Sequence, residues 1–530
     1  MEITLKNNLG FSWYKNKTVT IKGYFYIDAV FYEKENALNY LSKIKEHNEF
    51  KEILKSINGV FTFIISFSEH TFIASDITRS FPLFYTVQNN ELFFSDDILY
   101  LKNTFNNNDF DYPAELELKA TNHTHGKKTL LKNVYQLQAS ESLIVRNDVI
   151  IESKFFFSYA VNKESLSTHK KLKEIAILTI ENSFKRLLNS LDNQTVVIPL
   201  SGGFDSRLIA VMLKKFSYKN VVCYTYGRKN SPEIKNSQAT AKQLDFAWYF
   251  IDYTEELISD YSEKPEFKEF VHYAGKFSSM PNLQEYFAVK YLKDKKIIPN
   301  NAIFIPGYAG DLLGGSQFLK VIPQNLKHKQ IADLLFTKKF TNYSLSETEK
   351  KTITEEIEKR LFLFDENYLK KTPSSVFEDY DLKEKIAKYI FNSASFYTFF
   401  GFEHRFPFWD KGMLDFFKKL PTESKKMKLF FDTILIHEYF TKFNVNFETE
   451  LQPSKREIQT QKIKESIKPI LPTFIKQKLL QKNDWNNYKP ITNQLLQSLK
   501  KSELKVKRKF KNYNEIITQW YLYFSKNKIK

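Results

Sequence analysis

The first 158 residues alternate short apolar runs with polar breaks, a pattern typical of β-strands. β-branched and aromatic residues fill four of these runs, at residues 60–67, 71–74, 92–94 and 142–145. From about residue 37 to residue 55 the apolar residues follow helical spacing instead. The pattern predicts a β-rich unit over residues 1–158 that is interrupted by one helix.

A polar stretch at residues 158–170 precedes a change of pattern. Amphipathic helical spacing then alternates with apolar, strand-like runs, at residues 172–191, 196–200, 221–226, 239–244 and 248–251. Such alternation predicts a parallel sheet covered by helices. Beyond residue 326 the pattern is mostly helical, and from about residue 453 it is lysine-rich. We predict an α/β fold in three units, at residues 1–158, 170–450 and, as a basic helical extension, 451–530.

Composition narrows the class of protein. A hydrophobic content of 42% and an aromatic content of 16% exclude a disordered chain. The net charge of +18 suits a nucleic-acid or anionic-membrane partner, although lysines spread over a surface usually serve solvation. The single cysteine, Cys223, excludes a disulfide framework. Because no apolar run is long enough to span a bilayer and the N-terminus lacks a signal-peptide layout, we expect a cytoplasmic location.

The most informative segment follows the apolar run that begins at Val196 and has the sequence Ser201-Gly202-Gly203-Phe204-Asp205-Ser206. Its glycines let the backbone approach a ligand, and the amide groups of the helix that follows attract anions. The hydroxyls of Ser201 and Ser206 add donors, and Asp205 suits the Mg²⁺ that accompanies a phosphate. The segment predicts a phosphate-binding loop; the alternative is a tight turn with no ligand.

A second glycine cluster, Gly307 to Gly315, follows the apolar run at residues 302–306. Its Asp311 could face Asp205, and two carboxylates could together hold one or two Mg²⁺ ions on the phosphates of a nucleotide. The alternative is that Asp311 caps a helix that starts near Leu312. Taken alone, this cluster does not decide between the two interpretations.

Together these segments resemble the adenine-nucleotide α-hydrolases, and among them the asparagine synthetase family. Ser201 to Ser206 is similar to the pyrophosphate loop, and Gly307 to Gly315 resembles a Gly-Glu-Gly-x-Asp-Glu-x-x-Gly-Gly element with one residue fewer. Gly401 to Asp410 is similar to Gly-x-Glu-x-Arg-x-Pro-Phe-x-Asp, and residues 59–61 and 76–85 resemble the family's N-terminal amidohydrolase domain. The resemblance covers about residues 20 to 455. It implies an N-terminal α+β sandwich of amidohydrolase type, then a parallel-sheet nucleotide-binding domain with a helical C-terminal part.

The resemblance implies an ATP-dependent, AMP-forming ligase. ATP adenylates a carboxylate, pyrophosphate leaves, and an amine or ammonia attacks to give an amide. Residues implied to bind ATP and its pyrophosphate are Ser201, Gly202, Gly203, Asp205, Ser206, Tyr226 and Gly307. Asp205 and Asp311 would hold Mg²⁺. Lys455 resembles the family lysine that stabilises pyrophosphate departure, and a solvated lysine is the alternative.

Two departures from the family pattern bear on the reaction. Glutamine-dependent members carry a cysteine directly after the initiator methionine, whereas this chain has Glu2, so we expect no glutaminase activity. Tyr308 replaces a glutamate and is similar to the tyrosine of β-lactam synthetases, which deprotonates an amine together with a glutamate. Since a tyrosine has a reference pKa of about 10, it needs such a partner. We predict Glu403 as this partner; alternatively, Tyr308 only lines the acyl pocket and Glu403 pairs with Arg405 or Lys411.

The leading hypothesis is therefore an amide-forming ligase for a small-molecule carboxylate and an amine or ammonia, in asparagine biosynthesis or on a surface polysaccharide. A homodimer or a separate ammonia-supplying protein is the predicted protein partner. The alternatives are a non-catalytic ATP-binding homologue and a tRNA-modifying ligase, although no nucleic-acid partner is predicted. His123-Thr124-His125 could bind a metal, but its surroundings favour an ordinary turn. The basic run at 505–511 favours a solvated helix face.

Overall fold

The computed structural model describes residues 1–320, 322–323, 325–447, 483–500, 510 and 512–527. Most strands belong to the first half of the chain, and helices dominate the second. The strands span Glu2–Thr4, Trp13–Lys15, Val19–Ile27, Val30–Glu33, Asn58–Phe67, His70–Ser75, Phe84–Gln88, Glu91–Ser95, Tyr135–Gln136, Glu141–Arg146, Val149–Phe155, Val196–Pro199, Val221–Gly227, Ala247–Asp252, Ile303–Phe304 and Glu403–His404.

The helices vary widely in length, and several are single turns. The longer ones span Lys34–Leu41, His47–Ser56, Tyr112–Thr121, His169–Leu188, Phe204–Lys215, Pro232–Gln243, Pro265–Gly275, Tyr286–Asp294, Ile331–Lys339, Glu347–Phe364, Pro373–Asp381, Leu382–Ile390, Tyr488–Lys500 and Tyr513–Asn527. The shorter ones span Ile98–Thr104, Glu255–Ile258, Tyr261–Glu263, Gly310–Gly314, Gln317–Lys320, His328–Gln330, Tyr368–Lys370, Phe391–Ala394, Ser395–Phe399, Pro407–Trp409, Lys411–Phe417, Thr422–Lys425, Lys426–Lys428, Leu429–Ile434 and Leu435–Phe440. Within the described ranges, no helix is long and apolar enough to cross a membrane.

In residues 1–158, which we call the first region, a seven-stranded and a four-stranded sheet pack face to face. Successive side chains of one strand pack on opposite sides of the sheet, one against the second sheet and the next against the helices, because successive residues of a strand point to opposite faces. Ile64 packs with Tyr85 between the sheets, whereas Phe63 packs with Leu38 and Phe50 of the covering helices. The predicted α+β sandwich is therefore confirmed.

The predicted helix at about 37–55 is wrong in one respect, because the structure divides it into Lys34–Leu41 and His47–Ser56. The second helix has its own start signal. The backbone amide of Glu46 donates to the Glu49 carboxylate at 3.1 Å, and this pair forms a capping box. The sequence therefore carries a helix start inside a segment whose apolar spacing looks continuous.

The second half is built on a five-stranded sheet in which every pair is parallel, as predicted. Val196–Pro199 is its central strand and lies between Val221–Gly227 and Ile303–Phe304. The loops after Val196–Pro199 and Ile303–Phe304 therefore leave neighbouring strands at the same sheet edge, where open α/β sheets bind ligands. Both glycine clusters follow these strands.

Candidate functional site

The two glycine loops touch each other at this edge of the sheet. A Cβ atom added to Gly310 would lie 2.7 Å from Cγ of Asp205, and one added to Gly307 would lie 2.9 Å from the backbone nitrogen of Ser206. Contacts this short are closed to any other residue, so glycine is required for the loops to meet. The structure thus brings Gly307 and Asp311 to the Ser201–Ser206 loop.

The Ser201–Ser206 loop is held in shape by its own hydrogen bonds. The Ser201 amide donates to Oγ of Ser206 at 3.1 Å, and the Gly203 amide donates to Oγ of Ser201 at 3.1 Å. The buried guanidinium of Arg207 donates to the carbonyl of Gly202 at 2.6 Å. The loop then runs into helix Phe204–Lys215, whose first three residues line a cleft. This is the arrangement that binds anions at helix starts.

Asp205 and Asp311 meet through the backbone. The amide of Asp311 donates to Oδ2 of Asp205 at 3.0 Å, while Oδ1 of Asp205 is buried without a hydrogen-bond partner in the part of the chain that the structure describes. Burial raises the pKa of Asp205 to about 7, and the charge of Lys428 opposes that rise. A buried carboxylate oxygen with no partner, beside a second acid, is a donor set that fits Mg²⁺. Asp311 lies inside the first turn of Gly310–Gly314 and Ala309 is the N-cap, so Asp311 is not the capping residue.

A cleft of about 500 Å³ opens beside the two loops, within the roughly 300–1,000 Å³ usual for small-molecule sites. Its walls include Tyr226, whose ring stacks on Tyr253 at 5.3 Å between centroids. Glu285 and Tyr308 also line the cleft, as does Lys428, whose charge acts on Asp205. The cleft therefore joins the loops to a group of buried phenols.

Three tyrosine hydroxyls, those of Tyr224, Tyr308 and Tyr397, lie around the carboxyl group of Glu285. The sequence analysis did not identify Glu285. Tyr397 donates to Oε1 of Glu285 at 3.0 Å, and Tyr224 donates to the same oxygen. Tyr308 and Tyr397 share a hydrogen bond of 3.1 Å between their hydroxyl oxygens. Burial raises the pKa of Glu285 to about 7, although the phenols oppose this, and burial raises the pKa of Tyr308 well above its usual value. Tyr308 is therefore neutral at pH 7, and Glu285 is the group that can take a proton there.

Glu403, the predicted partner of Tyr308, lies elsewhere. Its Oε2 accepts from Nη1 of Arg405 at 2.9 Å, and it is not among the residues that line the cleft. Arg405 is buried, and its guanidinium lies over the ring of Tyr24 at 4.3 Å. The structure therefore favours the ion-pair alternative for Glu403. The Gly401–Asp410 motif serves instead to join the parallel sheet to the first region, where Asn58 donates to Oδ2 of Asp410 at 2.7 Å.

Arg405→Ala is expected to lower the free energy of unfolding by about 3 kcal/mol, because it empties a buried site and breaks the pair with Glu403. Urea denaturation measures this change. Arg146→Ala is the matched control, since Arg146 pairs with Glu69 on the surface and exposed pairs contribute about 1 kcal/mol or less. Equal effects of the two substitutions would contradict the assigned role of Arg405.

Comparison with known proteins adds a family match. Residues 179–431 match the family model described as asparagine synthase. We call these matched residues the asparagine synthase domain. The microcin J25-processing protein McjC of Escherichia coli is 24% identical over 212 residues, and the match spans 39% of this chain and 37% of McjC. The chain thus covers little more than a third of that relative's length.

Two solved structures are similar to part of this chain. One is the NH3-dependent NAD synthetase from Campylobacter jejuni subsp. jejuni NCTC 11168 in complex with the nitrate ion, at 15% identity and a TM-score of 0.19, covering 37% of this chain and 96% of the other. The second is the NMN synthetase from Francisella tularensis, at 14% identity and a TM-score of 0.18, covering 40% of this chain and 77% of the other.

The lysine that the structure places beside the loops is not the predicted Lys455 but Lys428. Lys455 lies outside the described residues, as do residues 505–509 and 511 of the basic run. Lys428 lines the cleft, and its Nζ lies 3.5 Å from Oδ1 of Asp432. No motif marks Lys428 in the sequence, because it is one of many lysines. Its position beside the loops depends on the fold of the segment after Gly401–Asp410.

The histidine pair predicted to form a turn lies in a buried polar network. His123 and His125 are stacked 4.6 Å apart between ring centroids, and both lie beside Glu384. The Glu384 carboxylate already accepts from Nζ of Lys388 at 2.7 Å and from the amide of Gly126 at 2.8 Å. A metal ion would have to share this carboxylate with an ammonium, which repels it. The geometry favours a hydrogen-bonded turn over a metal site.

Proposed function

We propose that this protein is an ATP-dependent, AMP-forming ligase that joins a carboxylate to an amine. The observation that carries the proposal is the shared cleft. Part of its wall, which we call the loop end, is the Ser201–Ser206 loop with the unpartnered oxygen of Asp205, and another part, which we call the proton-accepting end, is formed by Tyr308 and Glu285. The loop end suits a polyphosphate, and the proton-accepting end suits removal of a proton from an amine. The asparagine synthase match over residues 179–431 supports the same reaction class.

In this proposal the backbone amides of the Ser201–Ser206 loop and the Ser206 hydroxyl bind the pyrophosphate that leaves ATP. The strand end at Tyr226 lies where the adenine would bind. Asp205 and Asp311 would hold Mg²⁺, which when bound neutralises charge on the phosphates. Lys428, and Lys455 outside the described residues, would add positive charge near the leaving group. The division into residues 1–158, 170–450 and 451–530 belongs to the same proposal.

Glu285 takes the place of Glu403 as the proposed partner of Tyr308. Because the pKa of Tyr308 is raised, its hydroxyl stays protonated and cannot act alone as a base. It can pass a proton along the hydrogen bonds from Tyr308 to Tyr397 and from Tyr397 to Glu285. An attacking amine would lose its proton to the Tyr308 oxygen as Glu285 gains one.

The test is ATP–pyrophosphate exchange with the purified full chain over a panel of amino acids, sugar acids and short acidic peptides. We expect exchange and AMP formation only with particular carboxylic acids, and none with Asp205→Ala. Exchange in the absence of any acid would contradict the ligase. ATP binding without exchange on any acid would favour the non-catalytic ATP-binding homologue, and salt-dependent binding of tRNA would favour the tRNA-modifying ligase.

Glutamine is not expected to serve as the nitrogen donor through this chain alone. Cys223 is the single cysteine of the sequence, and it lies buried in strand Val221–Gly227, where burial raises the pKa of its thiol far above the usual range. A buried protonated thiol is a poor nucleophile. Glutamate release from glutamine by the purified protein would refute this part of the proposal.

A further inference from the structure

A small cavity lies between the first region and the asparagine synthase domain, and we call it the junction cavity. Its walls include Lys22, Arg79 and Asp96 from the first region and Lys276 and His404 from the domain. The cavity volume is about 20 Å³, slightly more than the roughly 10–15 Å³ that one water needs. The junction cavity therefore accepts a group about the size of a water molecule or a halide.

Three cationic side chains, those of Lys22, Arg79 and Lys276, line this small space. Arg79 also donates from Nε to the carbonyl of Leu137 at 3.1 Å and from Nη2 to Oε1 of Gln136, and both of these acceptors are uncharged. Burial lowers the pKa of Lys276 to about 7, that of Lys22 to about 8 and that of Arg79 to about 9. Among the described residues none of the three forms an ion pair with a carboxylate. Lys22 donates to the carbonyl of Asn7 at 2.7 Å, and Nζ of Lys276 lies over the ring of Tyr273 at 4.9 Å. Such cations are costly to bury unless a negative charge accompanies them.

The nearest carboxylates are already occupied by other donors. Asp96 accepts from the amides of Lys6 and Asn7 and from Nε1 of Trp13, at 2.7–3.1 Å. Two further carboxylates influence Arg79, namely Asp76 and Glu384. Asp76 accepts from the amides of Phe61, Thr78 and Ser80 and from the Thr78 hydroxyl, and Glu384 is paired with Lys388. One carboxylate in the cavity wall thus faces three cations.

His404 gives a second indication that the junction cavity binds a ligand. Its side chain is buried, and neither ring nitrogen has a hydrogen-bond partner in the described part of the chain. Burial and the charge of Arg405 lower the pKa of His404 to about 3, so the ring is neutral and keeps one N–H donor. An unsatisfied donor in a cavity wall is costly unless a ligand accepts from it.

We propose that the junction cavity binds one small monovalent anion of chloride size, held by Lys22, Arg79 and Lys276 and by the N–H group of His404. The anion neutralises the cations where the two halves of the chain meet. It also lies one aromatic layer behind the cleft, because Phe391 and Phe406 line the cavity and each lies 6.1 Å from the ring of Tyr308. The proposal does not depend on the ligase activity.

Thermal unfolding of the full chain tests the anion site at constant ionic strength, with chloride replacing gluconate, which is too large for the cavity. For the wild type we expect the Tm to rise by about 2 °C or more and to saturate with chloride. Lys276→Met removes one cation, so we expect a higher Tm than the wild type in gluconate and no response to chloride. Lys55→Met, at an exposed lysine, should respond as the wild type does. Equal chloride responses of the wild type and Lys276→Met would overturn the proposal.

Bromide gives a second measurement that requires no variant. Crystals grown or soaked in bromide should show an anomalous difference peak in the junction cavity, between Lys276 and Arg79. A junction cavity that contains only water under these conditions would overturn the proposal, whatever the thermal data show.

Discussion

Asp205→Asn is expected to abolish nucleotide turnover while it stabilises the ligand-free protein. The asparagine keeps the shape of the side chain and its contact with the Asp311 amide, but it loses the charge that would hold Mg²⁺. The loss should lower the rate of ATP–pyrophosphate exchange by about 100- to 1,000-fold. Activity and stability should therefore change in opposite directions at this one position.

The stability change has a defined dependence on pH. The pKa of Asp205 is about 7 in the folded protein, against about 3.9 in an unfolded chain. The folded state therefore holds the proton more tightly, and burying the ionised group costs stability that grows as the pH rises from about 4 and is complete above about 7. The upper limit of this cost is about 4 kcal/mol. Asp205→Asn should raise the Tm at pH 8 and leave it nearly unchanged at pH 4.

Thermal unfolding at the two pH values and exchange assays at pH 8 measure both effects. Asp245→Asn is the matched control, because Asp245 is exposed after helix Pro232–Gln243 and lies outside the cleft. The control should leave exchange and Tm unchanged. A destabilised Asp205→Asn protein at pH 8 would contradict the electrostatic argument, and full exchange activity would contradict the role in metal binding.

Glu285→Gln is expected to separate the two half-reactions. The variant should retain ATP–pyrophosphate exchange, which needs only the loop end of the cleft. It should lose amide formation by about 100- to 10,000-fold, since glutamine cannot accept the proton that the amine releases. In the wild type the rate of amide formation should rise with pH through about 7, the pKa of Glu285. Asp205 has a pKa near the same value, so ATP–pyrophosphate exchange serves as the reference, and Glu285→Gln should remove only the part of the rise that exchange does not share.

Three comparison variants sharpen this test. Tyr397→Phe breaks the path between Tyr308 and Glu285 and should show the same separation of half-reactions. Glu269→Gln, on the exposed face of helix Pro265–Gly275, should behave as the wild type. If Glu403→Gln lost amide formation while Glu285→Gln retained it, the original partner assignment would stand and the proton path would be wrong.

The loop end of the cleft could be predicted from the sequence because its residues are contiguous. Ser201 to Ser206 and Gly307 to Gly315 each follow an apolar strand, and parallel neighbouring strands bring such loops to one edge. The first-region strands were equally visible through their alternation. The break between helices Lys34–Leu41 and His47–Ser56 was not, since apolar spacing continues across it and the capping pair is a weak local signal.

The proton-accepting end could not be predicted for a different reason. Glu285 has no motif around it and stands at the start of helix Tyr286–Asp294 like many surface glutamates. Its role arises when Tyr224 and Tyr397, which are 61 and 112 residues away, fold against it. The junction cations could not be predicted for a similar reason, because in a lysine-rich chain nothing local marks Lys22 or Lys276 as lining a cavity.

Arg405 has a consequence for how chains of this kind can change over generations. It belongs to the asparagine synthase domain, yet the ring of Tyr24 in the first region covers it. A mutation at Tyr24 would therefore remove the aromatic cover from a buried arginine of residues 179–431, although Tyr24 itself belongs to the first region. Selection for the stability of residues 179–431 then also constrains the sequence of the first region, whatever chemistry the first region has of its own.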